Sequence, residues 1–200
     1  MKKDSRLIAG INAGMYEPSL KATFFMKTAS RTSQSSVHSN GSAWLLLDSQ
    51  TPDVPVLVDR NCVDLPALRQ KYRAQAQSFR LVGCDQKPVW KPSKRIWSHA
   101  LIGRDSRGRF LFIHARSPWS THQISEILLG LPLDIQQLMY GEGGPEAQLS
   151  VRSGDNSIDL VGSYETGFME NDDNHRGWTV PNVVVVRRRD PRSEGDRGRF

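Results

Sequence analysis

Apolar residues occur along this chain in short runs, such as Trp44–Leu47 and Val183–Val186, set between clusters of Gly, Pro, Asn, Asp and Ser. Such runs suit strands, whereas a helix spanning a bilayer needs ~20 consecutive apolar residues, so no transmembrane segment is expected. The predicted strands are Leu7–Ile11, Ala43–Asp48, Val54–Asp59, Gln136–Tyr140, Ala147–Val151, Ser157–Val161 and Asn182–Val186. Ser98–Gly103 and Phe110–Ala115 read as a hairpin across Asp105-Ser106-Arg107-Gly108. One helix is predicted over Asp64–Arg80, from the recurrence of Leu65, Leu68, Tyr72, Ala76 and Phe79. A second covers Ser120–Leu131, with Ser120 or Thr121 as its cap and Pro132 as its stop. Lys27–Ser42 reads as a long polar loop. Strands outnumber helices without regular βαβ alternation, which predicts an α+β fold with helices packed on a mixed or mostly antiparallel sheet.

At 200 residues, with 38% hydrophobic and 24% charged residues, the chain has the make-up of one globular domain. The expected domain is 1–186. Residues 187–200 form a basic tail, with six Arg against three acids, that accounts for half of the +6 net charge. With the tail set aside the charge is ordinary, and no specific nucleic-acid partner is expected. The N-terminus enters a predicted strand within ten residues and carries no apolar leader, so either the domain starts abruptly or an upstream part is lacking. Cys62 and Cys84 are too few for a zinc site; they form either a disulfide in an oxidising compartment or two separate thiols.

The most informative stretch is Gly141-Glu142-Gly143-Gly144-Pro145-Glu146. Glycines let a backbone approach a ligand and turn N–H groups toward an anion, and Glu142 and Glu146 flank that backbone directly after an apolar strand. Carboxylates on a strand-end loop suit acid/base work on a sugar or phosphoester; a surface hairpin turn with solvated acids is the competing reading. Asn12-Ala13-Gly14 closes the first strand, as a ligand-orienting Asn or as an Asx-turn. His99, before an apolar run, reads first as a structural histidine. His38, His114, His122 and His175 lack metal-ligand spacing, so neither metal nor other cofactor is predicted. The acid-rich segment Val161–Asn174 lacks a calcium-loop pattern and reads as a solvated loop. Trp90, Trp97, Trp119 and Trp178 are candidate sugar-stacking faces or core residues.

Three ordered segments, Ile11-Asn12-Ala13-Gly14-Met15-Tyr16, Ile102-Gly103-Arg104-Asp105 and Met139-Tyr140-Gly141-Glu142-Gly143-Gly144-Pro145-Glu146-Ala147, make the chain resemble the phosphodiester glycosidase domain family. It looks closest to a bacterial branch with an E-G-G-P-E-A-S-L run, here Glu142–Leu149, and a G-S-Y-E-T-G-F run, here Gly162–Phe168. The resemblance implies an α+β domain that hydrolyses the bond between a sugar's anomeric carbon and a phosphodiester, in the cell envelope or outside it. By the same resemblance Asn12 and Gly14 match the family's N-G-G, with Ala13 in the middle. Glu142, Gly143 and Gly144 match the start of D-G-G-G-S, and Pro145 and Glu146 replace its end. The family's Arg falls at His99, which leaves a protonated His99, Arg80 or Arg95 as anion donors.

The roles that follow are Glu142 as base, nucleophile or oxocarbenium stabiliser, and Glu146 as its partner or as a carboxyl kept protonated beside it. Gly143 and Gly144 supply backbone donors, and Asn12, Gly14, Arg80 and His99 bind substrate. The partner is a carbohydrate or sugar phosphodiester. The alternative is a non-catalytic module of the same fold that binds carbohydrate or cell envelope.

Overall fold

In the computed structural model, which describes residues 4–50 and 54–188, the chain begins with β1 (Leu7–Asn12), β2 (Met26–Lys27), β3 (Thr32–Gln34), β4 (Ala43–Ser49) and β5 (Val56–Asp59). It continues through α1 (Leu65–Arg69), β6 (Tyr72–Ser78), β7 (Trp97–Asp105), β8 (Phe110–Trp119) and α2 (Thr121–Gly130). The last elements are β9 (Ile135–Gly143), a 3₁₀ turn at Gly144–Glu146, β10 (Gln148–Ser153), β11 (Asn156–Val161) and β12 (Val183–Arg187). Three sheets result, ordered β11-β10-β1-β12, β3-β2-β6-β4-β5 and β8-β7-β9, and every named strand pair is antiparallel. The α+β expectation holds. The proposed basic tail lies outside the described residues apart from Arg187, which ends β12, and Arg188.

The run Ala100-Leu101-Ile102 shows how the sheets share a core. Ala100 and Ile102 face one cluster with Ile11, Leu45, Leu57, Met139 and Leu149, which joins all three sheets. Leu101 faces the opposite cluster, with Leu138, Tyr140 and the apolar face of α2 at Ile124 and Leu128. A strand buried on both faces needs a continuous apolar run rather than alternation. Each such side chain taken out of water contributes roughly 1.5–3 kcal/mol. A third cluster gathers Phe25, Trp44, Leu46, Leu65 and Tyr72, and the Arg69 guanidinium lies 4.0 Å from the Trp44 ring centre and 4.5 Å from that of Phe25.

The helix expected over Asp64–Arg80 is replaced by one short turn of helix and a strand. Only Leu65–Arg69 is helical, and Asp64 makes no side-chain cap bond. Tyr72–Ser78 instead pairs with β4 on one side and β2 on the other. A central strand satisfies its backbone on both edges, and the buried Gln75 and Gln77 find partners only there. The Gln75 amide donates to the carbonyls of Arg69 and Tyr72, each at 2.8 Å, and that of Gln77 to those of His38 and Gly41 at 2.7 and 2.5 Å. Tertiary pairing outweighed helical periodicity.

Gln77 also organises the long polar segment, because its side-chain oxygen accepts from the His38 N–H at 3.0 Å. That segment is not all loop, since β3 pairs with β2 inside it. The second helix matches expectation, with Ser120 and Gln123 closing a capping box. Cys62 and Cys84 form a disulfide, with Cα atoms 5.9 Å apart.

Candidate functional site

The strand expected to end at Tyr140 continues through Gly143. Its ladder with β7 slips near the end, where Leu101 opposes Tyr140 but Ala100 opposes Glu142. Gly141 is therefore an extra residue, a bulge that re-aims the strand tip. Two following glycines let side chains close over the backbone. A Cβ on Gly143 would overlap the Tyr140 hydroxyl and come within 2.6 Å of the Trp97 ring. Gly144 has φ +59°, and a Cβ there would run into the Glu165 carboxylate.

Glu165 arrives from the G-S-Y-E-T-G-F segment, which lies along the entry to β7. The Ser98 N–H donates to the Tyr164 carbonyl at 3.0 Å, and the Thr166 N–H donates to that of Ile96 at 3.0 Å. From the other side, Asn12 fixes the turn after β9. Its side-chain amide donates to the Glu146 carbonyl at 3.0 Å, and its oxygen accepts from the Gln148 N–H at 2.7 Å. Asn182 bonds the carbonyls of Gly14 and Met15, each at 3.4 Å, which steadies the segment carrying Tyr16.

These elements enclose a cavity of about 280 Å³ lined by Tyr16, Tyr140, Glu142, Gly143, Glu146 and Glu165. Burial pushes the Glu142 carboxyl up to about 8, and the charges of Glu146 and Glu165 push the same way, against the Gly143 N–H donated to it at 3.1 Å. Glu146 is raised by burial and by Glu165, and Glu165 by burial with Arg95 opposing. Burial raises Tyr16 and Tyr140, with Glu142 and Glu146 pushing both the same way and Glu165 adding to the push on Tyr140. Glu142 therefore keeps its proton at neutral pH.

An adjoining cavity of about 180 Å³ shares Met15, Tyr140 and Glu165 as walls and adds Trp90, Trp97 and Arg95. The Thr121 hydroxyl on its wall is buried and has no hydrogen-bond partner among the described residues. One half of the cleft is thus acidic, and the other is aromatic with one cation. Such walls can stack a sugar ring, place carboxylates at its reacting carbon and hold an anion beside it.

Residues 5–187 match the sequence profile of the phosphodiester glycosidase family. This chain belongs to that family. Among solved structures it is similar to the catalytic domain of zebrafish N-acetylglucosamine-1-phosphodiester alpha-N-acetylglucosaminidase, auto-inhibited by its pro-peptide. The TM-score is 0.61 at 10% identity, which bears on the fold alone; the match covers 92% of this chain and 64% of that one. No curated protein sequence matches the chain.

Of the residues singled out from sequence, Glu142, Gly143 and Glu146 line the acidic cavity, and Gly144 lies under Glu165. Asn12 is buried behind the turn with its amide engaged by backbone, and Gly14 lies just before the wall residue Met15. His99 is fully buried between Trp97 and Tyr140, with Nε2 2.9 Å from the Trp119 carbonyl oxygen. Burial lowers its pKa to about 4, so at neutral pH it is an uncharged spacer. Arg80 is paired with the buried Asp59 and faces a different pocket. Glu165, Tyr16 and Tyr140 were not singled out from sequence, although each sits in a motif that carried the family resemblance.

Proposed function

We propose that this chain hydrolyses a sugar-1-phosphodiester, with Glu142, Glu146 and Glu165 around the anomeric carbon and Arg95 facing the phosphate. The reading rests on one observation: three carboxyl groups converge on a single cavity, where burial and the neighbouring acids push Glu142 up to about 8. In the reaction the C1–O bond breaks and its electrons leave on the phosphate oxygen. Water supplies the new hydroxyl on C1 and gives up a proton to a carboxylate. A departing phosphate needs little protonation, so a hydrogen bond from neutral Glu142 to the leaving oxygen suffices.

Glu146, half-buried on the wall of the same cavity, is the partner given the task of stabilising positive charge at C1 or activating the water. In this reading Glu142 is the proton donor, and Glu146 is its partner carboxylate. Trp97 and Trp90 supply apolar faces for the substrate, and Thr121 a hydroxyl for a sugar or phosphate oxygen.

The test is a panel of sugar-1-phosphodiesters followed by phosphorus and proton NMR, with wild type beside Glu142→Gln and Glu146→Gln. The expected result is turnover by wild type, a loss of at least ~100-fold in Glu146→Gln, and a smaller loss in Glu142→Gln, whose amide can still donate weakly to the leaving oxygen. Full activity in Glu142→Gln would refute the role given to that residue. Sugar binding without turnover in wild type would favour the non-catalytic carbohydrate-binding reading.

A further inference from the structure

The aromatic cavity has a second neighbour on the side away from the acids. Phe79 and Trp90 are also walls of a pocket of about 310 Å³ that includes Arg60, Arg80, Ser42 and Asn61. No Asp or Glu is among its lining residues. Arg80 is tied to Asp59 and so is held in place, and the Trp90 indole donates to the Arg80 carbonyl at 2.9 Å. Arg60, partly buried, is gripped through its guanidinium by the backbone carbonyls of His38 and Ser39, with no carboxylate in ion-pair range among the described residues. Two guanidinium groups thus border the pocket, only Arg80 of them paired with a carboxylate, among hydroxyl and amide groups.

The three cavities succeed one another through shared walls, and their charge reverses along the way. Glu142, Glu146 and Glu165 stand at one end, Arg95 in the middle, and Arg60 with Arg80 at the other. We infer that the Arg60–Arg80 pocket is a second anion subsite, which receives a phosphate group carried on the substrate's leaving group. This assignment rests on the hydrolase reading, since it takes the sugar to lie at the acidic end. The geometry fits a leaving group that passes Phe79 and Trp90 with an anion at its far end. Guanidinium groups fixed by other contacts bind oxyanions with little further ordering cost. An acid-free pocket also concentrates the positive potential.

A binding arm and a kinetic arm test this. First, ¹⁵N-labelled protein is titrated with inorganic phosphate while the Trp90 indole and arginine Nε–H signals are followed. Saturable shifts at Trp90, Arg60 and Arg80 are expected, weakened about tenfold in Arg60→Gln with its melting temperature unchanged. Arg80→Lys, which keeps a charge opposite Asp59 but loses the fork, should weaken binding as well. No saturable shift at these groups, or a shift abolished by Arg95→Gln and untouched by Arg60→Gln, would overturn the subsite.

Second, two sugar-1-phosphodiesters are compared whose leaving alcohols are glycerol and glycerol 3-phosphate. Arg60→Gln should raise KM about tenfold for the phosphorylated one alone. Phosphate binding without this KM difference would assign the pocket to free phosphate and overturn the leaving-group assignment. If neither compound is hydrolysed, the hydrolase reading fails, and the titration still decides whether the pocket binds phosphate.

Discussion

Replacing Glu142 by Gln should stabilise the protein, and by an amount that depends on pH in a defined direction. Burial and the neighbouring acids lift this carboxyl to about 8 from its ordinary 4.5. Between those values the folded chain holds a proton that the unfolded chain releases, so stability contributed by the neutral carboxyl is full below pH ~4.5 and is lost as pH rises toward ~8. The whole difference corresponds to at most about 5 kcal/mol. The group borders an open cavity where water and side chains can relax, so a measured effect of about 1–2 kcal/mol is the reasonable expectation.

Gln has nearly the same shape, carries no charge at any pH, and can keep a hydrogen bond to the Gly143 backbone. Wild type and variant should therefore unfold together at pH 4.5 and separate progressively up to pH 8.5, with the variant more stable. In a domain of this size, 1–2 kcal/mol moves the melting temperature by roughly 2–8 °C. Urea unfolding at a series of pH values gives the same difference without heating. Other titrating groups, including the buried histidines, largely cancel in the comparison. Parallel stability curves would refute the reasoning, since they would mean that Glu142 titrates like an exposed carboxylate and carries no retained proton.

Asn12→Ala removes a buried amide that joins β1 to the turn after β9, and should cost about 2–4 kcal/mol in urea unfolding while exposing the turn to hydrogen exchange. Gly144→Ala forces a φ of +59° on a residue with a Cβ and displaces Glu165, so activity should fall at least ~10-fold for only ~1–2 kcal/mol of stability. A Cys62→Ser/Cys84→Ser double variant should lose about 2–4 kcal/mol, visible as a lower urea midpoint that matches reduced wild type. His99 has the opposite linkage to Glu142. Its pKa is lowered, so its contribution is present above pH ~6.5 and lost as pH falls toward ~4; His99→Phe should flatten the acid limb of the stability curve.

Where one strand face or helix stripe dominates, the sequence was sufficient. The strand at Leu7–Ile11, the hairpin of β7 and β8, and the capped helix after Ser120 all carry local signals, and each is present close to its expected bounds. Tyr72–Ser78 carried the wrong local signal, because its apolar residues recur at helical intervals while its fate depended on strands 26–27 and 43–49 lying on either side. The site divides in the same way. Glu142 and Glu146 announce themselves through the surrounding glycines, but Glu165 reaches them only because a distant loop is laid against β7. Nor does spacing reveal that His99 is walled in by Trp97 and Tyr140, or that Arg80 turns toward Asp59.

The Asn12 clamp has a consequence for how the molecule is made. Its two bonds tie residues 134 and 136 positions apart, and Asn182 reaches back 168 positions to Gly14. A ribosome must therefore deliver nearly the whole domain before the segment bearing Glu142 and Glu146 can be held from behind. Until then the acidic turn, which joins strands of two different sheets, lacks its support, and long-range closures of this kind are slow. The cleft is therefore expected to take shape late, leaving a partly synthesised chain without a working pocket. Two separately expressed halves, cut in the exposed stretch at residues 91–94, should regain it only on reassociation.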